Sequence, residues 1–425
     1  MRCKRALSCK MNKYNVLNFV FAFVVLLTSA MFLLPPDDTW LGLSDFPSYY
    51  AAARLISRGH AADVYRMDKL QPEINRYWTM PSGRAVFAAE PPLFMPAYEP
   101  LAYFTPAGSV AFSLILSVAA TAAALTILSA ILELRMWGTI TLMVLTAGSV
   151  TYWCTIRIGK PVCIMLLALC CVMLLLKRRR DIGAAGASLL CLMKWHEILP
   201  LLMFASGARK WAYVVSFASA CGLLAVISLL TFGIEGWSNY LQLLVTLSKG
   251  PALIRYWDMP TFRGQLCLLN IDWKICNLVS SGAFAVAMTI LIWLGMKFKN
   301  QNRWWYEGFA ISSLISVTFN MHCHLYDVLL LTPALCILIK AAKDAGDRVM
   351  LMLSCLVVFM FSIPVFMSLR PVHFFFASGQ LNPYFVVLLA TTAYAVWFVM
   401  KAARVERQVV ERVSQVELNQ PRVWS

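Results

Sequence analysis

Charge is scarce in this chain. Only 14% of its 425 residues are charged, too few to cover a soluble domain of that size. Acid is scarcer than base, with 21 Asp and Glu against 37 Lys and Arg. Nucleotide motifs are missing: there is no Walker glycine-lysine loop and no Rossmann glycine fingerprint. The cytoplasmic loops are also too short to hold a nucleotide-binding domain. Together these absences argue against an ATP-driven pump and against a nucleotide-sugar enzyme with a soluble domain. No CxxC pair or Cys/His metal spacing occurs, which argues against a structural zinc site. No internal repeat is visible, unlike the repeated halves of many transporters. No low-complexity linker divides the chain.

What is present is apolar. Hydrophobic residues make up 60% of the sequence and the mean hydropathy is +0.68. They fall in long runs, as in a multi-pass membrane protein. The net charge of +16 does not indicate nucleic acid, because the basic residues sit in short clusters such as KRRR and KFKNQNR at the ends of apolar runs. The first run, VLNFVFAFVVLLTSAMFLLPP, follows a basic start. It is near full spanning length and lacks a clear small-residue cleavage site, so it reads as a retained helix rather than a signal peptide. Apolar length predicts about twelve spans: 15–34, 107–133, 137–155, 161–177, 182–194, 196–208, 211–232, 276–297, 304–320, 325–341, 349–370 and 383–401. The pair within 182–208 is short and also reads as one broken helix. The chain is taken as a single all-α transmembrane domain, 1–425.

Lys/Arg bias orients the spans. With the basic N-terminus inside, the clusters at 177–181, 207–211, 297–304 and 340–348 and the tail 402–425 all fall on the cytoplasmic side. The outside receives the loops 35–106 and 233–275, the turns at 156–160 and 194–197, and the segments 322–327 and 370–380. All five histidines (His60, His196, His322, His324, His373) fall there. Chemistry is therefore expected at the extracytoplasmic face of the cell membrane. In the first loop, Pro47 suits the first turn of a helix running through SYYAAARLIS. Tyr50, Arg54 and Arg58 share one face, as in an amphipathic helix lying on the membrane surface. The proline-rich 91–104 is too short to span and reads as interfacial or re-entrant. The aromatic residues Trp237, Tyr240, Tyr256, Trp257 and Trp273 read as an interfacial belt. Most cysteines lie in apolar runs and behave as small hydrophobes. Cys267 and Cys276 lie in a polar loop and would pair if it faces an oxidising compartment.

The stretches DFPSYYAAARLISRG, VY at 64–65, EPPLFMPAYEPLAYF, LLCLMKWHEILPLLMFASGARKW and MPTFRG, in this order, resemble the GT-C glycosyltransferases. Within these the likeness is to the bacterial family 87 group, which includes polyprenyl-phosphate-mannose-dependent α-mannosyltransferases. Two family features differ: IGKPVC stands where Gly-Gln-x-Asn is frequent, and Lys194-Trp195 where Lys-Pro is frequent. The resemblance implies a GT-C bundle that takes a sugar, mannose being one candidate, from a polyprenyl-phosphate donor. The acceptor would be lipid-linked or an envelope glycan, the anomeric centre would invert, and no nucleotide, metal or other cofactor is required. The partners are then the donor, the acceptor and membrane lipids.

The resemblance places the catalytic base just after the first helix, where Asp45 stands. A carboxylate there can take the proton of an attacking sugar hydroxyl. The competing readings are a helix N-cap and a surface charge. Lys194, Arg263, Arg157 and Lys160 are candidate ligands of the donor phosphate. Their plainer readings are snorkelling anchors and, for Arg263, loop packing. Tyr49, Tyr50, His322 and His324 are candidate substrate contacts. The His-x-His pair lacks an evident third ligand for a metal. Asp327, in an apolar run, needs a partner or a cavity, and Glu197 is a candidate counter-ion for Lys194. Two rival readings share the same layout: a flippase for lipid-linked sugars, and a non-catalytic assembly subunit.

Overall fold

The computed structural model describes residues 44–80, 86–248, 259–269, 271–299, 304–362, 365 and 381–419. The run 15–34, His373, Tyr256 and Trp257 lie outside them. Among the described residues the chain forms α-helices and 3₁₀ turns, with one isolated β-bridge between Ser149 and Ser362.

The first loop is a packed unit. It holds α1 (Phe46–Ser57), a 3₁₀ turn (Ala61–Tyr65), α2 (Met67–Asn75) and a second 3₁₀ turn (Met95–Tyr103). Pro47 stands in the first turn of α1, as expected. The helix does not lie open on a membrane surface, however: every residue but Arg54 and Ser57 is buried. Arg54 donates to the Ala102 carbonyl at 2.9 Å, and Arg58 pairs with Glu73 at 2.9 Å. The face expected to meet headgroups therefore binds the rest of the loop.

The remaining helices form the bundle. They are α3 (Pro106–Leu132), α4 (Met136–Ala147), α5 (Val150–Ile158), α6 (Val162–Lys177), α7 (Asp181–Ser188), α8 (Trp195–Gly207), α9 (Trp211–Ser248), α10 (Phe262–Leu268), α11 (Trp273–Phe298), α12 (Trp304–Phe319), α13 (Thr332–Ala345), α14 (Arg348–Met360) and α15 (Pro383–Asn419). Turns of 3₁₀ type, Leu189–Lys194 and Leu325–Leu331, precede α8 and α13. Among the described residues, six segments are long and apolar enough to cross a membrane: Pro106–Leu132, Asp181–Gly207, Trp211–Leu247, Trp273–Phe298, Leu325–Ala345 and Pro383–Ala402. Four shorter apolar helices accompany them. Leu325–Ala345 lies inside the bundle, with 72% of its apolar window buried, against 11% for Trp211–Leu247. Leu230 and Ile234 on α9 are each about four-fifths exposed, as suits a lipid-facing helix.

Two expected spans are divided differently, and the pair within 182–208 takes its alternative form. The run 137–155 breaks between α4 and α5, where Ser149 caps the new helix by accepting from the Tyr152 N–H. The run 182–208 is one broken element, α7–3₁₀–α8, whose backbone leaves the helical region at Lys194 (φ −137°, ψ 77°). The helix from Trp211 passes a non-helical Gly233 and continues to Ser248, so much of the expected loop 233–275 is helical.

Two ends of the bundle are distinguishable. At one, Lys177 and Lys340 donate to the carbonyls of Ile131 and Leu132, so the C-terminal parts of α3, α6 and α13 meet there. At the other, the start of α6 lies near Asp45, Tyr326 and Lys194. Toward their C-terminal ends, α8 and α11 approach backbone to backbone. A Cβ on Gly207 would overlap the Ile292 carbonyl, and one on Gly295 would overlap the Phe204 carbonyl. Such small residues let membrane helices pack closely. Gly295→Val is expected to destabilise the protein by about 1–3 kcal/mol through overpacking, read as a lower thermal midpoint in detergent. Gly282→Ala on the same helix, with nothing within 4 Å, is expected to leave the midpoint unchanged. Equal losses would show that the crossing is not so close.

Candidate active site

The site begins at the turn after α5. Gly159, at φ +73°, ends that helix, and a Cβ there would stand 2.8 Å from the Phe46 Cβ. Glycine thus permits both the left-handed turn and the approach of α1. The Asp45 N–H and the Ser44 hydroxyl both donate to the Ile158 carbonyl, at 2.9 and 2.8 Å. Ser44 also accepts from the Phe46 N–H. Asp45 makes no side-chain cap bond. Its carboxylate instead meets Lys160, Nζ to Oδ2 3.2 Å, and stays 28% exposed.

Lys160 is the centre of this group. Its ammonium also reaches the Tyr49 hydroxyl at 2.5 Å and Glu90 Oε1 at 3.3 Å. Tyr49 donates to the same Glu90 oxygen at 2.6 Å and stacks on Tyr98 with centroids 4.7 Å apart. Tyr65 donates to the Glu90 carbonyl at 2.9 Å. Burial opposes the Lys160 charge, but Glu90, then Tyr49 and Asp45, outweigh it and hold the ammonium well above the usual lysine range. Burial, aided by Glu90, pushes the Tyr49 phenol well up, so it remains a donor.

A second group adjoins it. Lys194 donates to both oxygens of the fully buried Asp327, at 2.5 and 2.6 Å. This pairing is what makes the two charges tolerable inside the bundle. It also corrects an expectation: the counter-ion of Lys194 is Asp327. Glu197 instead accepts from Ser316 at 2.5 Å and from Asn320 at 3.1 Å. The His324 N–H donates to Asp327 and the His322 N–H to Asn320. The two imidazoles meet with their Nε2 atoms 3.3 Å apart. Burial, with His324 and Lys194 nearby, keeps His322 well below the usual histidine range, so it is neutral. The Lys194 ammonium lies 4.6 Å from the Tyr326 ring centre, and the Tyr326 carbonyl accepts from Thr155 on α5. Tyr326 thereby joins the two groups.

Arg263 is buried beside the histidines. It donates to Asn277 at 3.0 Å and to the Met321 carbonyl at 2.7 Å. Thr261 caps its helix, and a Cys267–Cys276 disulfide ties α10 to α11. The fold thus gathers Asp45, Tyr49, Lys160, Lys194, His322, His324 and Arg263. It does not gather Arg157, exposed on the last turn of α5, or Tyr50, which packs on Tyr77 and Trp78 and donates to the Phe104 carbonyl. Tyr240, expected in an interfacial belt, is buried against Tyr65. Glu90 and Tyr326 were missed. A lone acid in FAAEPPLF was the available signal for Glu90; Tyr326 had none. Glu197, Cys323 and Asp327 carry metal-capable atoms within 4.8 Å of one another. Asp327 already holds Lys194, however, and both Glu197 oxygens are engaged, so this donor set fits a charge-paired network.

The model of glycosyltransferase family 87 matches residues 89–322, more than half of the chain. The chain belongs to glycosyltransferase family 87. Searches of curated proteins and of solved structures returned no match. In this family 87 glycosyltransferase the matched span carries Glu90, Lys160, Lys194, Arg263 and His322. Asp45 and Tyr49 precede it, and His324, Tyr326 and Asp327 follow it. In this family 87 chain, removing one partner of the buried pair is expected to cost about 3–5 kcal/mol, because the other charge is left alone. Lys194→Met should therefore lower the thermal midpoint markedly, and Lys194→Met with Asp327→Asn should recover part of the loss. A double variant no better than the single would mean that the pair is not coupled as described.

Proposed function

We propose that this chain transfers a sugar from a polyprenyl-phosphate donor to a lipid-linked or envelope glycan acceptor, with Asp45 as general base and inversion at the anomeric carbon. The observation that carries this reading is the state of Asp45. It makes no helix-cap bond, keeps partial exposure, and is held by a buried lysine at the end of the bundle away from Lys177 and Lys340. As the acceptor oxygen bonds to the anomeric carbon, its proton passes to the Asp45 carboxylate. The bond from that carbon to the phosphate oxygen breaks, with oxocarbenium character in the transition state. The lipid phosphate departs as a stable anion, so no strong acid is needed.

Cations near Tyr326 would receive that phosphate. An ammonium has three N–H donors. Lys160 donates to Tyr49 and Glu90 and is ion-paired with Asp45, whereas Asp327 takes two N–H groups from Lys194. Lys194 and Arg263 are therefore the phosphate ligands proposed, and Lys160 holds the base. Neutral His322, with His324 beside it, offers an N–H contact to phosphate or acceptor hydroxyls. The site would face the extracytoplasmic side, mannose being the first donor sugar to try.

Transfer from radiolabelled polyprenyl-phosphomannose to membrane acceptors tests the chemistry, with phosphoglucose and phosphoarabinose donors as the wider panel. Asp45→Asn at matched expression is expected to abolish transfer; equal transfer in both would remove the base assignment. A wild type inactive with every donor would point to a flippase or an assembly subunit. Orientation has its own test. A membrane-impermeant maleimide should label Cys267 and Cys276 on intact cells only after reduction, and not in the double Cys→Ser variant. Unchanged labelling after reduction would put the site on the other face.

A further inference from the structure

Lys160 raises a difficulty for Asp45 as a base. A carboxylate paired one-to-one with an ammonium is well oriented but is a weakened base, because the adjacent positive charge favours its ionised form. Lys160 has a second carboxylate, however. Glu90 Oε1 lies 3.3 Å from Nζ on one side, and Asp45 Oδ2 lies 3.2 Å from it on another. Glu90 is 4% exposed and Asp45 is 28% exposed. One carboxylate is thus sealed in the protein while the other opens outward. Tyr49 bridges Glu90 and Lys160, donating to the first and accepting from the second.

Among the described residues, further titratable groups around the cluster are tyrosines and one buried ion pair. Tyr49 on α1, Tyr65 and Tyr98 in the first loop, Tyr240 on α9 and Tyr326 before α13 are the groups that face it. Behind Tyr326, Lys194 and Asp327 cancel each other. Asp45 and Glu90 thus bring two carboxylates to one ammonium, and a proton on Asp45 leaves a Lys160–Glu90 pair.

We propose that Glu90 is a positioning residue that shares the Lys160 charge, so that the lysine holds Asp45 in place without neutralising it. This rests on the reading of Asp45 as the base. Glu90 touches neither substrate nor the reacting atoms; it acts through Lys160 and Tyr49. Removing its charge leaves the ammonium to Asp45 alone. Activity that rises as Asp45 ionises should then begin at lower pH, by about one unit for a charge at this range. Above that limb the base is weaker, so kcat should fall about threefold or more. KM for the donor should hold, because the donor ligands proposed lie on the other side of Tyr326.

Two readouts on Glu90→Gln test this. The first is the pH profile of kcat with the polyprenyl-phospho-sugar that supports transfer in the panel above. The second needs no substrate: infrared titration of the carboxyl band of the purified protein that disappears in Asp45→Asn. Both midpoints are expected to move down, with Glu90→Asp returning them toward wild type. Lys160→Gln should move them up. If Glu90→Gln does not insert, Lys160→Gln is compared with Lys160→Gln/Glu90→Gln, in which the buried charges are removed together; the double variant must lie lower. Midpoints unchanged or raised on loss of the Glu90 charge would overturn the proposal. If Asp45→Asn transfers normally while the infrared midpoints shift as expected, charge sharing stands and the base assignment falls. Loss of transfer in Asp45→Asn with no midpoint shift would leave the base and remove Glu90's role.

Discussion

An ammonium group taken out of water costs several kcal/mol unless anions and acceptors surround it. Lys160 is such a group, and its partners come from three separate stretches: Asp45 and Tyr49 from the start of α1, Glu90 from the end of the first loop, and the lysine itself from the turn before α6. Satisfying that one charge holds the first loop against the bundle. The backbone bond from Asp45 to Ile158 and the glycine turn at Gly159 work in the same direction. The loop is thereby a structural part of the site, and its Tyr49, Tyr50 and Tyr65 pack inward.

The same constraint recurs one layer further in. Lys194 and Asp327 are both buried, and each stands where regular helix gives way: Lys194 at the junction with α8, Asp327 in the 3₁₀ turn before α13. A helix interior has its backbone groups satisfied and presents only side chains. A break frees backbone N–H groups, and here one of them, on His324, donates to the Asp327 carboxylate. Interrupted helices and buried charges therefore occur together, as expected where non-helical backbone lies inside protein at membrane depth.

These geometries give the cations different tasks. Arg157 and Lys160 are three residues apart, yet one is exposed and the other enclosed by acceptors. Lys160 is committed to its carboxylates; Lys194 and Arg263 lie across Tyr326, beside the two histidines. In the reaction proposed, this would keep proton acceptance and phosphate binding apart, so that an acceptor hydroxyl could be deprotonated without the donor phosphate taking the charge that orients Asp45.

The sequence alone determined the class. Long apolar runs can satisfy their backbone in lipid only as helices, and basic clusters at their ends ordered them, so a membrane bundle with its polar residues toward one end was legible. So were the helix after Pro47 and the short 91–104 segment. The order of MPTFRG, KWHE and the flanking stretches carried the family. The candidates Asp45, Lys160, Lys194, Arg263, His322 and His324 were readable for a physical reason: a polar residue beside an apolar run is costly and stands out. Pairing was not readable. Which acid meets Lys194, whether α1 lies on a surface or inside, and that Glu90 joins Asp45 on one lysine depend on contacts between residues up to 133 positions apart. Local pattern carries no record of such contacts, because any acid at the right depth would leave the same trace in the sequence. Only the tertiary structure, by limiting which carboxylate can reach a buried ammonium, decided between them.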